Sequence, residues 1–192
     1  MRMDEETTVL VAVGVASILV LATVVYITLQ PKPAKEFMEM YVLDSNHGTV
    51  DYVRDLEVNE VVRSYVGVRN YMNSAQYMAI YVKISNNTVS AEPCPLPPLV
   101  TYERILPKGA TWEFPLDIVL TRAEIQGGYT VVKELRVNNM TLRGLGLLAE
   151  GGKGYRVVFE LWLYDPTSES FKFTGSWGKV WTQFWFNLMV PK

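Results

Sequence analysis

The ten residues "YRVVFELWLY" (Tyr155 to Tyr164) decide the fold, because apolar side chains recur in them at every second position. Successive side chains of an extended chain point to opposite faces, so one face of this stretch is continuously apolar. That face carries Val157, Phe159, Leu161 and Leu163. A period of two is typical of a β-strand that lays one face on a hydrophobic core.

Three further stretches repeat this pattern and extend the prediction to a whole domain. They are "EVVRSYVGVR" (Glu60 to Arg69), "YMAIYVKI" (Tyr77 to Ile84) and "KVWTQFWFNLMV" (Lys179 to Val190). Shorter candidate strands are Met40–Leu43, Trp112–Leu120, Tyr129–Val137 and Phe171–Thr174. Strands at regular spacing, separated by Gly, Pro, Asn and Ser turns, predict an all-β fold, an Ig-like antiparallel β-sandwich.

Two segments between the strands are predicted to have other structures. "AEPCPLPPL" (Ala91 to Leu99) contains four prolines, which donate no hydrogen bonds to a sheet, so we expect a long crossover loop of polyproline character. "NMTLRGLGLLAEGGKG" (Asn139 to Gly154) is predicted to hold one short helix that ends at its late glycines.

An apolar run near the N-terminus, "VLVAVGVASILVLATVVYITL" (Val9 to Leu29), carries no charge. About 21 residues at 1.5 Å each reach about 30 Å, the thickness of a bilayer core. A cleaved signal peptide normally has a basic start, a shorter apolar run and a small-residue cleavage site. Here acidic residues 4–6 precede the run and prolines follow it. We therefore predict an uncleaved single-pass transmembrane helix.

The predicted organisation has three parts: an anchor over residues 1–30, a stiff linker over residues 31–37 and a β-sandwich domain over residues 38–192. The positive-inside rule gives nearly equal weight to both orientations of the helix, because Arg2 lies on one side and Lys32 and Lys35 lie on the other. The β-rich body favours an extracytoplasmic domain by fold-level analogy. Small residues Ala12 and Ala16 are candidates for close packing against another membrane helix.

Composition excludes several classes of function. The net charge is −2 and there is no Lys/Arg block, so nothing favours binding to nucleic acid. One cysteine, Cys94, excludes an intramolecular disulfide framework and a Cys-rich zinc site. No metal ligand set and no cofactor-binding motif is predicted.

The only histidine lies in "LDSNHGTVDY" (Leu43 to Tyr52), which has three interpretations. A calcium loop needs a third oxygen ligand where Gly48 stands. A catalytic His47 needs a nucleophile and an orienting carboxylate, and no G-x-S-x-G motif is present. Asn and Asp that bond their own backbone, with a glycine beside them, favour a simple turn.

Carboxylates and sequons offer two weaker signals. Paired carboxylates perform glycoside hydrolysis, and the candidates are Glu113, Asp117, Glu160 and Asp165. Their spacing singles out no pair, so no catalytic residue is predicted. Asn-x-Thr sequences begin at Asn86 and Asn139, which are therefore possible glycosylation sites.

The stretch "EMYVLDSNHGTVDYVRDLEVNEVVRSYVGVRNYMNSAQYMAIYVKI" (Glu39 to Ile84) resembles the C-terminal domain of an archaeal membrane-anchored family of unknown function (domain of unknown function sixteen-sixteen). "LPKGATWEFPL" (Leu106 to Leu116) is similar to that family's Pro-Gly-x-x-Trp-Glu turn and strand. The resemblance covers residues 38–120, and Val53 and Asn59 depart from the family's Pro and Gly. It implies an Ig-like extracytoplasmic domain, and it implies no activity.

Large aromatic side chains are the remaining candidates for binding. Trp162, Trp177, Trp181, Trp185 and Tyr164 are predicted to line an outward face, where they would anchor a protein partner or stack on sugar rings. The alternative is that half of them fill the core or pack under the segment from Asn139 to Gly154. We predict a non-catalytic, membrane-anchored interaction module or accessory subunit of a membrane or cell-envelope assembly. The alternatives are a pilin-like filament subunit, a glycan-binding surface domain and a glycan-acting enzyme.

Overall fold

The computed structural model describes residues 4–29, 36–49, 55–173 and 178–189. The chain divides into two compact units, Met1–Lys35 and Glu36–Lys192. The elements are α1 (Glu5–Leu29), β1 (Met38–Leu43), β2 (Asp55–Glu57), β3 (Val61–Asn70), β4 (Gln76–Asn86), β5 (Val100–Leu106), β6 (Thr111–Gln126), β7 (Tyr129–Val137), β8 (Met140–Glu150), β9 (Tyr155–Asp165), β10 (Ser170–Lys172) and β11 (Val180–Met189).

Helix α1 is long and apolar enough to cross a membrane. Its residues from Thr7 to Leu29 are all exposed within the chain. The hydroxyl groups of Thr23 and Thr28 donate to the carbonyls of Leu19 and Val24, at 2.7 and 2.9 Å. These bonds satisfy the hydroxyl donors inside the helix itself, which a hydrocarbon environment requires.

Two sheets form the second unit. The first sheet has the order β1-β3-β6-β7-β8, and the second has the order β2-β11-β9-β4-β5, with β10 added to the end of β9. Neighbouring strands are antiparallel except β2, which runs parallel to β11. The predicted all-β sandwich with a single N-terminal helix is confirmed.

The core lies between the two sheets and contains the residues that the period of two assigned to it. From the first sheet it takes side chains such as Val66, Val68, Leu116 and Leu120, and from the second Met78, Ile80, Val82, Phe159, Leu161, Phe184 and Phe186. Alternate positions of β4, β9 and β11 therefore point away from the core. They form the outer face of the second sheet.

The segment from Asn139 to Gly154 is a strand and not the predicted helix. It forms β8, which pairs with β7, and the register shifts near Glu134. Gly144 and Gly146 adopt positive φ angles of 71° and 61°, which a helix interior does not accept. Two extra residues of β8 at this bulge space the core-facing side chains as Leu142, Leu145, Leu147 and Ala149. The intervals from Leu142 to Leu145 and from Leu145 to Ala149 are three and four residues, which imitates the spacing of a helix.

Tyr155 at the start of β9 is fully buried, and its hydroxyl donates to the carbonyl of Thr130 at 2.5 Å. Burial raises its pKa from 10.0 to about 12. Since the folded-state pKa exceeds the unfolded value, the stabilising contribution is complete below pH 10 and is lost as the pH rises towards 12. The free energy of unfolding should fall by about 1.4 kcal/mol per pH unit in this window on account of Tyr155 alone. Urea unfolding of wild type and Tyr155→Phe, at several pH values, measures the two slopes. If the free energy of unfolding falls equally with pH in both proteins, the pKa of Tyr155 is not raised in the folded state.

Candidate functional site

The outer face of the second sheet is covered over one half by the loop of residues 87–99 and open over the other half. Strands β4 and β9 pair from Met78 to Asn86 and from Tyr155 to Leu163, so their outward side chains form one continuous surface. At the covered end this surface consists of buried polar groups. At the open end it consists of aromatic rings.

A buried ion pair between β4 and β9 binds the backbone of the covering loop. The ammonium of Lys83 lies 2.8 Å from Oε2 of Glu160, and Glu160 is 0% exposed. Lys83 also donates to the carbonyl of Cys94 at 2.6 Å, and the backbone N–H of Cys94 donates to Oε1 of Glu160 at 2.6 Å. The indole N–H of Trp162 donates to Oε2 at 2.9 Å. The loop thus supplies a backbone donor for Glu160 and a backbone acceptor for Lys83.

Arg156 provides a second attachment beside the first. Its guanidinium donates to the hydroxyl of Ser85 at 2.8 Å and to the carbonyl of Val89 in the covering loop. In the part of the chain that the structure describes, no buried side-chain nitrogen or oxygen lacks a hydrogen-bond partner. A buried polar network is stable only when each of its donors and acceptors has a hydrogen-bond partner.

Three of the four carboxylates of the enzyme hypothesis pair with a lysine or an arginine, and the fourth, Glu113, lies beside His47. Glu113 lies 3.3 Å from His47, Asp117 lies 2.7 Å from Arg63, Glu160 pairs with Lys83 and Asp165 pairs with Lys172. The hydrogen bonds from Arg63 lower the pKa of Asp117, and the ammonium of Lys172 lowers the pKa of Asp165. A carboxyl group with a lowered pKa is a poor general acid.

An aromatic cluster occupies the open half of the outer face, and we call Tyr77, Ile105, Tyr164 and Phe171 the aromatic patch. Tyr77 and Ile105 face each other across β4 and β5, as Tyr164 and Phe171 do across β9 and β10. The ring centroids of Tyr77 lie 5.3 Å from Tyr164 and 5.0 Å from Phe171. Ile105 is 65% exposed beside these rings. The patch is therefore ordered by ring-to-ring contacts and remains accessible.

Three of the predicted tryptophans, Trp162, Trp181 and Trp185, lie on this face but differ in environment. Trp162 is half-buried between Tyr81 and Phe173, with ring centroids 4.9 and 5.5 Å away. Trp181 is half-buried as well. Trp185 is 42% exposed, and the guanidinium of Arg156 lies 5.0 Å from its ring centroid. Trp177 lies outside the described residues.

Sequence reasoning named Tyr164 but missed Tyr77, Ile105 and Phe171. The period of two in Tyr77–Ile84 already placed Tyr77 on the outward side. What the sequence did not show is which strands are neighbours, and that pairing brings Tyr77 beside Tyr164.

The histidine lies in the predicted turn. The Oδ1 of Asp44 accepts hydrogen bonds from the backbone N–H groups of Asn46 and Gly48, each at 2.8 Å. His47 has a φ of 58° and stacks on Tyr65 with centroids 3.9 Å apart. Over the described ranges, no group of three or more His, Cys, Asp or Glu side chains is placed to hold a metal ion.

The remaining candidates are not among the residues of the aromatic patch. Ala12 and Ala16 are exposed on α1. Asn86 ends β4, and Asn139 lies in the turn between β7 and β8.

Comparison with known proteins gives little. No protein-family model matches the chain. No curated protein matches it. Among solved structures, a mutant β-glucosidase from Listeria innocua in complex with laminaribiose aligns at a TM-score of 0.38 and 8% identity, over 81% of this chain and 16% of that one. The complex with isofagomine aligns at 0.37 and 9%, over 80% and 16%. The chain thus spans 16% of the length of these enzymes, and similarity at this level carries no functional argument.

Proposed function

We propose that this chain is a membrane-anchored interaction module, an accessory subunit of a membrane or cell-envelope protein assembly. The aromatic patch is the observation that carries this proposal. Tyrosine and tryptophan are enriched where partners bind, because they offer large rigid apolar area together with a polar end. The apolar helix α1 would hold the module at a bilayer, with the β domain on the extracytoplasmic side.

The chemistry of the patch favours a protein partner. An exposed isoleucine beside two tyrosines and a phenylalanine offers apolar area, and its burial gains about 25 cal/mol per Å². Hydroxyl groups at the rim keep some polar character, and the hydroxyl of Tyr77 already donates to Glu103. The arginine and lysine partners of Asp117, Glu160 and Asp165 support a binding role over the glycan-acting enzyme.

A glycan is the second candidate ligand, and one observation favours it. Trp185 presents an exposed ring whose position is fixed by the guanidinium of Arg156. A fixed indole ring can stack on the apolar face of a sugar. Membership of the archaeal family named above and the pilin-like filament remain predictions.

The proposal is tested by extracting the full chain from membranes in a mild detergent and identifying what co-elutes. We expect stoichiometric membrane or envelope proteins. Replacing Ile105 by aspartate puts a charge on the most exposed apolar side chain of the patch and should reduce partner recovery by about tenfold or more.

The matched control is Ile125→Asp, since Ile125 is 53% exposed near the β6–β7 turn, away from the patch. It should leave recovery unchanged. A chain that elutes alone, or an Ile105→Asp variant that retains its partners, contradicts the proposal.

A further inference from the structure

The two Asn-x-Thr sequences have opposite structural settings. Asn86 is half-buried, and its side-chain Nδ2 donates to the carbonyl of Leu148 at 2.7 Å. Its Oδ1 accepts from the backbone N–H and the hydroxyl of Thr88, at 3.1 and 2.7 Å. Both ends of this amide are therefore engaged, and they connect the end of β4 to the edge strand β8.

Asn139 lies in the two-residue turn that joins β7 to β8, and both it and Thr141 are exposed. Within the described ranges, no hydrogen bond occupies the side chain of either residue. Thr141 is paired with Arg136 in β7, and β8 is the last strand of its sheet. The start of an edge strand can separate from its single neighbour without disturbing the core. An enzyme can therefore reach this sequence in the folded domain.

An open groove of about 840 Å³ lies next to Asn139. Its lining includes the charged side chains of Arg63, Asp117 and Arg136 together with the hydroxyl-bearing Thr141. Apolar atoms of Val61 and Pro115 complete it. Such a surface gives room and hydrogen-bonding groups to a sugar attached at Asn139, so modification there meets no steric barrier.

We propose that Asn139 is N-glycosylated and that Asn86 is not. The step needs a sugar linked to an isoprenoid phosphate and a membrane oligosaccharyltransferase, both supplied by the cell. A bond forms between Nδ2 of Asn139 and the anomeric carbon of the sugar, while the bond from that carbon to the phosphate oxygen breaks. The phosphate leaves with the electron pair and Nδ2 loses one proton. The inference rests on the proposed extracytoplasmic position of the β domain.

The test uses the full chain, produced in cells that carry such a transferase and extracted from their membranes. Trypsin releases the two sequences on separate peptides, residues 137–143 and residues 84–104. We expect the glycan mass on the first peptide only. Asn139→Gln should abolish it, and Asn86→Gln should leave it unchanged. The same pattern should appear when purified folded chain meets purified transferase and a lipid-linked sugar donor.

A third variant separates the two proposals. Ser168→Asn creates an acceptor sequence in the exposed turn of residues 166–170, far along the chain from both natural ones. If that turn is modified and Asn139 is not, the inference is wrong while the extracytoplasmic position stands. If neither is modified in cells, both the position and the inference are overturned. A glycan on Asn86 contradicts the selectivity that the hydrogen bonds predict.

Discussion

Replacing Glu160 by glutamine is expected to lower the free energy of unfolding by about 3–5 kcal/mol. The glutamine keeps an acceptor for the N–H of Cys94, but it leaves the buried ammonium of Lys83 without a counter-charge. A buried charge that loses its partner retains the full cost of leaving water. For a domain of this size such a loss lowers the melting temperature by about 10 °C, which thermal unfolding followed by tryptophan fluorescence would measure.

The control removes both charges. The double variant Lys83→Met and Glu160→Gln carries no buried charge and keeps an amide oxygen for the N–H of Cys94, so it should be closer to wild type than Glu160→Gln is. Urea unfolding of wild type, the two single variants and the double variant gives the coupling between the residues. If Glu160→Gln costs less than about 1 kcal/mol, the pair is solvated and the covering loop does not seal it.

Replacing Gly152 by alanine is expected to cost at least about 3 kcal/mol. Its φ of 75° alone costs a residue with a Cβ about 1–2 kcal/mol. A Cβ at this position would also lie 2.4 Å from the carbonyl oxygen of Leu188, which is backbone and cannot rotate away. Relief requires β11 to move, and that movement breaks the 2.7 Å hydrogen bond from the N–H of Leu188 to the carbonyl of Gly152.

The neighbouring glycine is a matched control. Gly151 has a φ of 56°, and a Cβ there would meet no atom within 4 Å. Gly151→Ala should therefore cost only the conformational term, about 1 kcal/mol. The urea unfolding midpoints of the two variants are compared. If they agree within error, the carbonyl oxygen of Leu188 does not lie close enough to residue 152 to exclude a Cβ.

The local sequence pattern was sufficient to predict a strand where one face of that strand is buried in the core. In Tyr77–Ile84 and Tyr155–Tyr164 the period of two gave both the strand and the residues that face the core, because burial on one side imposes that period. The pattern misled at Asn139–Gly154, where a bulge replaces the interval of two by three. The two residues inserted at this bulge are invisible to periodicity unless the glycines that permit them are recognised.

The candidate site was predictable only in part. Alternation placed Trp162, Trp181, Trp185 and Tyr164 on the outer face, since that follows from their own strands. Half of that face is buried because the proline-rich loop folds back over it. This burial depends on a contact between Cys94 and Glu160, which are 66 positions apart in the sequence. No local preference encodes such a contact.

The loop that covers one end of the second sheet also gives that sheet a direction. A bare sheet can be approached from either end, and a flat partner can settle on it in several rotations. Here the loop of residues 87–99 projects above one end of the sheet and the other end is uncovered. A partner that binds the uncovered end would therefore be limited on one side by contact with the loop. The docking angle of a partner would thus be set by the shape of this domain before any individual side chain is recognised.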